Sequence, residues 1–185
     1  MNVIQTALPE VLLIEPKVHR DGRGFFVETW QQARYAALGI GPQFVQDNHS
    51  RSQRGTLRGL HAQHRHPQGK LVRAIQGEIW DVAVDVRPGS ATFGRFAAAT
   101  LSAENFRQLW IPPGFVHGFC VVSETAEVEY KCTAPYAPGD EIGLLWNDPE
   151  LALPWPLPLS GGGPLLSGKD KVQPTLLQLR RLLGL

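Results

Sequence analysis

Glycine and proline divide this sequence into short segments, and that division constrains the fold more than any other feature. The 185 residues include 19 glycines and 15 prolines, spread along the chain as punctuation. Many of the intervening segments alternate apolar and polar residues, which is typical of half-buried strands. The predicted strands span residues 11–14, 25–30, 44–49, 56–61, 71–75, 78–86, 96–101, 107–111, 116–122, 127–133 and 142–146.

Only two segments have helical character, residues 31–38 and residues 175–183. The first is followed by Gly39, a residue type common just after a helix C-terminus. Two helices are too few to serve as crossovers in a parallel sheet. We therefore predict an all-β fold, a double-sheet jelly roll with a few short helices, whose interior is a natural ligand cavity. Residues 147–168, rich in proline, glycine and leucine, are predicted to form an ordered coil packed by Trp155.

Length and charge exclude several classes of protein. We expect residues 1–185 to form one domain with a substantial core. The formal net charge is +1, which does not favour nucleic acid or membrane as a partner. We expect no membrane span, since no apolar run approaches 18 residues, and no signal peptide at the N-terminus MNVIQTALPE. Cys120 and Cys132 could form a disulfide, but two thiols in a reducing cytoplasm are the preferred interpretation.

A cluster of basic residues occupies residues 57–73, with the sequence LRGLHAQHRHPQGKLVR. This segment contains no carboxylate. Its cations and imidazoles are Arg58, His61, His64, Arg65, His66, Lys70 and Arg73. Because the whole chain is nearly neutral, such a local cluster suits a small anionic ligand better than a polyanion. The simpler alternative is a hairpin of two strands with a basic, exposed edge.

Three histidines raise the possibility of a metal site. His64 and His66 approximate the first metal motif of cupins, and His117, at the end of PPGFVH, approximates the second. Three imidazoles in a jelly roll could bind iron, manganese or zinc. However, Lys70 stands where the motif's carboxylate ligand is expected, and a cation there opposes metal binding. We therefore predict no functional metal.

The same segment also offers acid–base chemistry. His61 can serve as a base near neutral pH, because the unperturbed pKa of histidine is about 6.5. It needs an orienting carboxylate, for which the candidates are Asp81, Asp85 and Asp170. A phenol can donate a proton, and Tyr130 and Tyr136 are the candidates. Lys70 and Arg58 could stabilise a developing oxyanion.

Several long motifs run through the chain: LRGLH at 57–61, QGKLVR at 68–73, DVAVDVR at 81–87, LSAENFRQLWIPPGFVHGF at 101–119, EYKCTAPYAP at 129–138, WNDPEL at 146–151 and SGKDKVQPTL at 167–176. Together these motifs resemble the dTDP-4-dehydrorhamnose 3,5-epimerase family. The resemblance implies a cupin-like fold, a homodimer and a cofactor-free cytoplasmic enzyme. It also implies epimerisation at C3 and C5 of dTDP-4-keto-6-deoxy-D-glucose in L-rhamnose biosynthesis.

The resemblance also implies roles for particular residues. His61 corresponds to the general base, Asp170 to its partner, Tyr130 to the general acid, and Lys70 lies near the sugar carbonyl. Tyr136 corresponds to the aromatic residue that stacks on thymine. The implied substrate contacts, besides Tyr136, are Arg23, Glu28, Gln46, Asp47, Asn48, Arg58, His117, Glu141 and Lys169.

Three function classes follow from these observations. The first is the cofactor-free sugar-nucleotide epimerase, with a single-position epimerase of a related 4-keto deoxysugar as its closest alternative. The second is a metal-dependent cupin, which Lys70 disfavours. The third is a non-catalytic sugar-nucleotide-binding jelly roll, which the joint presence of His61, Tyr130 and Asp170 disfavours.

Overall fold

The computed structural model describes residues 1–41, 43–156 and 163–185. In those residues β-strands predominate, as predicted. The strands are β1 Asn2–Gln5, β2 Leu12–Glu15, β3 Val18–Asp21, β4 Gly24–Val27, β5 Gln46–Gln53, β6 Leu57–Gln63, β7 Lys70–Gln76, β8 Glu78–Asp85, β9 Phe96–Ser102, β10 Gln108–Ile111, β11 Phe115–Val121, β12 Thr125–Cys132 and β13 Glu141–Gly143. The helices are α1 Gln32–Ala36 and α2 Leu176–Leu182, with a short 3₁₀ turn at Asp170–Val172.

The strands form two main antiparallel sheets. The six-stranded sheet has the order β1-β2-β10-β7-β12-β5, and the five-stranded sheet has the order β13-β6-β11-β8-β9. Apolar residues from both sheets share one core, which includes Val72 and Val128 of the first sheet and Ile79 and Phe119 of the second. The double-sheet prediction is therefore confirmed.

Each short helix covers the outer face of one sheet. Tyr35 of α1 packs with Leu12 and Trp110 of the six-stranded sheet. Leu176 and Leu179 of α2 pack against the outer face of the five-stranded sheet. A capping box stabilises the start of α2, because Thr175 and Gln178 each bond the other's backbone N–H.

Several boundaries and pairings differ from the prediction. β1 was not predicted, and residues 25–30 contribute only β4, which pairs with β3 in a separate hairpin. The predicted strands at 56–61 and 71–75 do exist, but β6 and β7 belong to different sheets, so the basic-edged hairpin is wrong. Of the predicted coil at 147–168, residues 157–162 lie outside the described residues.

The two cysteines are free and buried. Cys120 lies on β11 and Cys132 on β12, so they belong to opposite sheets. The possible disulfide is absent, and the preferred interpretation of two thiols is confirmed for this pair. No helix within the described ranges is long and apolar enough to cross a membrane.

Candidate active site

A cavity of about 590 Å³ opens between the two sheets. The five-stranded sheet contributes Arg58, His61 and His117 to its wall, and the six-stranded sheet contributes Lys70 and Tyr130. A smaller cavity of about 240 Å³ adjoins it and shares His61, Lys70 and Tyr130. The predicted acid–base residues therefore lie where the two cavities meet.

A β-bulge in β6 brings Arg58 and His61 into the same cavity. Strict alternation would direct residues three positions apart to opposite faces of a sheet. However, His117 pairs with His61 and Phe119 pairs with Arg58, so β6 has one residue more than β11 across this interval. Gly59 lies within the bulge at a φ of 118°. A Cβ at Gly59 would come within 2.6 Å of the Gly118 backbone, so both strands need glycine here.

His61 is bound to Asp170 through Nε2, at 2.5 Å from Oδ1. Asp170 is buried, and Ser167 Oγ donates a further hydrogen bond to its other oxygen at 2.8 Å. Burial lowers the pKa of His61, although the charges of Asp170 and Glu141 oppose that shift. The neutral imidazole is favoured, as a base requires.

The other two candidate carboxylates have different partners. Asp81 is fully buried and lies 2.8 Å from Nε2 of His117. Asp85 accepts hydrogen bonds from the Arg87 guanidinium at the end of β8. Neither is a partner of His61, and among the three candidates the structure selects Asp170.

Tyr130 and Lys70 lie on the wall opposite His61. They are on the inner face of neighbouring strands, with Lys70 Nζ 5.9 Å from the centre of the Tyr130 ring. Burial raises the pKa of the Tyr130 phenol, which therefore keeps its proton at neutral pH. Burial lowers the pKa of the Lys70 ammonium. A phenol that keeps its proton and a lysine side chain thus face His61 across one cavity.

Most of the predicted substrate contacts also line these cavities. They are Gln46, Asn48, Arg58, His117, Tyr136, Glu141 and Lys169. Arg58 is oriented by its neighbours, since its Nε donates to Ser52 Oγ at 3.0 Å. Glu141 lies 3.8 Å from Nδ1 of His61 and forms a salt bridge with Lys169.

Three predicted contacts are not brought to the cavity within this chain. Asp47 is exposed and forms a salt bridge with Lys131 at 3.0 Å. Arg23 forms a salt bridge with Asp21 of its own hairpin. Glu28 follows β4 and forms a salt bridge with Arg34 of α1.

The histidines of the alternative metal site are engaged separately. His66 is exposed and hydrogen-bonds to Asp140, whereas His117 is buried and hydrogen-bonds to Asp81. His64 is also exposed. Across residues 1–41, 43–156 and 163–185, no three histidine, cysteine or acidic side chains are grouped so that they could hold a metal ion.

Sequence reasoning missed three supporting residues. Ser52 orients Arg58, and Ser167 holds Asp170. Gln63, which is 4% exposed, bonds the chain on both sides of Tyr136. Ser167 could have been found from its position three residues before Asp170. No local signal distinguished Gln63, because its partners Pro135 and Ala137 are 72 and 74 positions away. Ser52 is only six positions from Arg58, but the two lie on strands of different sheets, so their contact could not be predicted from the sequence.

Comparisons with known proteins identify the family. The family model described as dTDP-4-dehydrorhamnose 3,5-epimerase matches residues 5–178. The chain belongs to the dTDP-4-dehydrorhamnose 3,5-epimerase family. The predicted family and the predicted isomerase acting on a sugar nucleotide are therefore confirmed.

Two curated relatives and one solved structure illustrate the match. A dTDP-4-dehydrorhamnose 3,5-epimerase of Pseudomonas aeruginosa is 56% identical over 172 residues, which are 92% of this chain and 93% of that relative. One of Neisseria gonorrhoeae is 53% identical over 98% of this chain, although the match spans only 54% of that relative. A crystal structure of a dTDP-6-deoxy-D-glucose-3,5-epimerase from Legionella pneumophila, in complex with dTDP-4-keto-L-rhamnose, has a TM-score of 0.91. It is 51% identical, with 95% of this chain and 93% of that chain covered, and it confirms the predicted cupin-like fold.

Proposed function

We propose that this member of the family epimerises C3 and C5 of dTDP-4-keto-6-deoxy-D-glucose to give dTDP-4-keto-L-rhamnose. The observation that carries the proposal is the position of His61 and Tyr130 on facing walls of one cavity, with Lys70 between the sheets beside the phenol. Inversion at carbon requires removal of a proton from one face and delivery of a proton to the other. A base and an acid on opposite walls meet that requirement.

His61 is the general base in this proposal. Because Nε2 is occupied by Asp170, Nδ1 is the nitrogen that accepts the substrate proton. The Asp170 carboxylate then stabilises the imidazolium that forms. The ketone at C4 acidifies the hydrogens at both C3 and C5, so one base adjacent to that carbonyl can serve both carbons.

Tyr130 is the general acid, and Lys70 stabilises the intermediate. Imidazole is too weak a base to form an enolate unaided, since each unit of pKa mismatch costs about 1.36 kcal/mol. A nearby ammonium offsets part of that cost by stabilising the negative enolate oxygen. The raised pKa of Tyr130 supports its role as a donor rather than a base.

The remaining cavity residues bind the nucleotide. Arg58, held by Ser52, can form a bidentate contact with the diphosphate. Tyr136 stacks on thymine, with Gln46 and Asn48 lining the same small cavity. His117, Glu141 and Lys169 complete the contacts around the sugar.

Turnover in deuterated water tests the reaction. We expect solvent deuterium at both C3 and C5 of the product, measured by NMR. Deuterium at only one carbon, with the other centre unchanged after long incubation, would instead identify a single-position epimerase of a related nucleotide 4-keto deoxysugar.

His61→Ala should abolish deuterium incorporation, whereas Tyr130→Phe should allow exchange with solvent but not inversion, because the base can return a proton to its own face.

We also propose a homodimer, which would bring two of the three missing contacts, Arg23 and Glu28, to a cavity. The β3–β4 hairpin exposes Phe25 and Phe26, at 58% and 70%, and in the described part of the chain these strands pair only with each other. Exposed apolar side chains of this size favour burial against another surface. A second copy would cover the hairpin and supply Arg23 and Glu28, which the single chain holds outside its own cavity.

The proposal also covers the extent of the catalytic domain and the cellular location of the enzyme. We propose that residues 1–185 act as one catalytic domain, which is supported by a family match over residues 5–178. We propose a cytoplasmic location, where a reducing environment would keep the buried thiols of Cys120 and Cys132 free.

A further inference from the structure

The segment that carries Tyr136 is held by side-chain amides rather than by sheet pairing. Residues 134–137 lie between β12 and β13, with the Tyr136 ring 55% exposed at the rim of the smaller cavity. Such a segment would ordinarily be mobile, because it lacks the regular hydrogen bonds of a strand. Here glutamine side chains hydrogen-bond to four of its backbone groups, which are two carbonyls and two N–H groups.

Gln63 contacts the segment on both sides of Tyr136. Its Nε2 donates to Pro135 O at 3.2 Å and to His66 O at 2.8 Å, and its Oε1 accepts from Ala137 N at 2.9 Å. Gln63 is the last residue of β6, two positions after His61, and its side chain is buried. It therefore ties the Tyr136 segment to the strand that carries the base.

Two further glutamines complete the attachment. Gln46 Oε1 accepts from Tyr136 N at 2.8 Å, and Gln68 Nε2 donates to Ala134 O at 2.7 Å. The backbone is thus fixed, and the side chain of Tyr136, whose hydroxyl lies 3.5 Å from Glu141 Oε2, stays exposed at the rim of the cavity. A ring held in this way loses little conformational freedom on binding, which is how preorganisation raises affinity.

We infer that Gln63 is a positioning residue for nucleotide binding, which acts through Tyr136 by fixing the backbone on both sides of it. The inference rests on the proposed stacking of Tyr136 on the base. Gln63 is specific for this task because the three contacts require two N–H donors and one acceptor at the end of one side chain. Glutamine provides them without a charge.

A double-mutant cycle tests the inference. The variants are Gln63→Met, Tyr136→Ala and the combination, and the measurements are KM and kcat for the 4-keto sugar nucleotide and the dissociation constant for dTDP by calorimetry. Methionine matches the length of glutamine without its hydrogen bonds. We expect Gln63→Met to raise KM and the dTDP dissociation constant about tenfold, with kcat within about twofold of the parent. In the Tyr136→Ala background the same substitution should change neither constant, since the group through which it acts is gone.

Two further variants separate positioning from general damage to the fold. Gln178→Met removes the hydrogen bond from Thr175 N at the start of α2, which packs on the outer face of the five-stranded sheet, and it should leave KM unchanged. Gln68→Met removes only the bond to Ala134 and should give a smaller rise in KM, also absent without Tyr136. If Gln63→Met itself does not fold, Gln68→Met measured with and without Tyr136→Ala gives the same comparison.

Several outcomes would overturn the inference. A fall in kcat at unchanged KM would show that Gln63 acts on the chemistry, and multiplicative effects in the double variant would show that it acts independently of Tyr136. An unchanged dTDP dissociation constant in Tyr136→Ala would remove the stacking role and this inference together. Because dTDP binding is measured without turnover, a failure of the proposed epimerisation is distinguishable from a failure of the positioning role.

Discussion

At the scale of single residues, the environment of His61 decides its chemistry. The imidazole is buried, so the charged form is penalised, yet the Asp170 carboxylate accepts a hydrogen bond from Nε2–H. These two effects act in opposite directions on the pKa, and burial is the larger. In the proposed mechanism His61 is therefore a base that is neutral near physiological pH, and Asp170 is there to stabilise the imidazolium that forms.

Asp170→Asn tests this balance. The base works when it is deprotonated, so kcat/KM should rise with pH through the pKa of His61 and then level off. Because the pKa of His61 lies below its usual value of about 6.5, the parent should retain its plateau at neutral pH. Without the carboxylate the pKa of His61 falls further, which shifts the acid limb to lower pH. The plateau should also fall by about 10²- to 10⁴-fold, because the imidazolium loses its stabilising partner.

A pH–rate profile of both proteins gives the measurement. An acid limb that moves to higher pH in the variant would contradict the electrostatic account. A plateau that is unchanged would show that Asp170 has no part in the proton transfer.

At the scale of elements, the bulge in β6 is the feature that assembles the site. The segment LRGLH was recognised from the sequence as a strand with functional residues. Alternation alone, however, would separate Arg58 from His61. One additional residue at Gly59 restores both side chains to the cavity. The position of that residue depends on the partner strand β11, and the local sequence of β6 does not specify it.

Gly59→Ala tests the requirement for the bulge, with Gly55→Ala as its matched control. Both glycines have positive φ, at 118° and 76°, so both substitutions introduce backbone strain of about 1–3 kcal/mol. Only at Gly59 would the new Cβ also meet backbone atoms, at 2.6 Å. We expect Gly59→Ala to lower the free energy of unfolding by at least about 2 kcal/mol more than Gly55→Ala, measured by urea denaturation. It should also reduce kcat, because Arg58 and His61 move apart.

Equal effects of the two substitutions on stability would mean that β6 and β11 can separate without cost at this point. That result would remove the close approach of the strands as the reason for glycine at position 59.

At the scale of the whole molecule, the chain leaves part of its predicted binding set outside its own cavity. The family resemblance implies that Arg23 and Glu28 contact the substrate, yet Arg23 forms a salt bridge with Asp21 and Glu28 forms one with Arg34. The exposed phenylalanines of the same hairpin indicate a surface that association would bury. A twofold arrangement would place both hairpins equivalently, since a symmetric dimer uses the same surface on each copy.

Light scattering at micromolar concentration tests the assembly. We expect twice the chain mass of 20.4 kDa for the parent protein. Phe26→Ser should shift the mass towards that of the single chain and raise KM, because Arg23 and Glu28 of the second copy are lost. Leu182→Ser is the control, since Leu182 is 73% exposed on α2 and its loss should not affect association. A single-chain mass for the parent protein would contradict the homodimer.

Local sequence patterns predicted the class of fold, and the motifs supplied the candidate residues for proton transfer. Alternation of apolar and polar residues, interrupted by glycine and proline, is a pattern of a few neighbouring residues, so it predicts strands wherever it occurs. The motifs LRGLH and SGKDK made His61 and Asp170 candidates without any knowledge of their distance. The three-dimensional arrangement was needed to show that these two residues, 109 positions apart, form one pair, and that Asp81 and Asp85 have other partners. It also assigned β6 and β7 to different sheets and joined Gln63 to the Tyr136 segment. The physical reason is that strand register and long-range hydrogen bonds depend on which distant segments become neighbours, and local side-chain patterns leave that choice open.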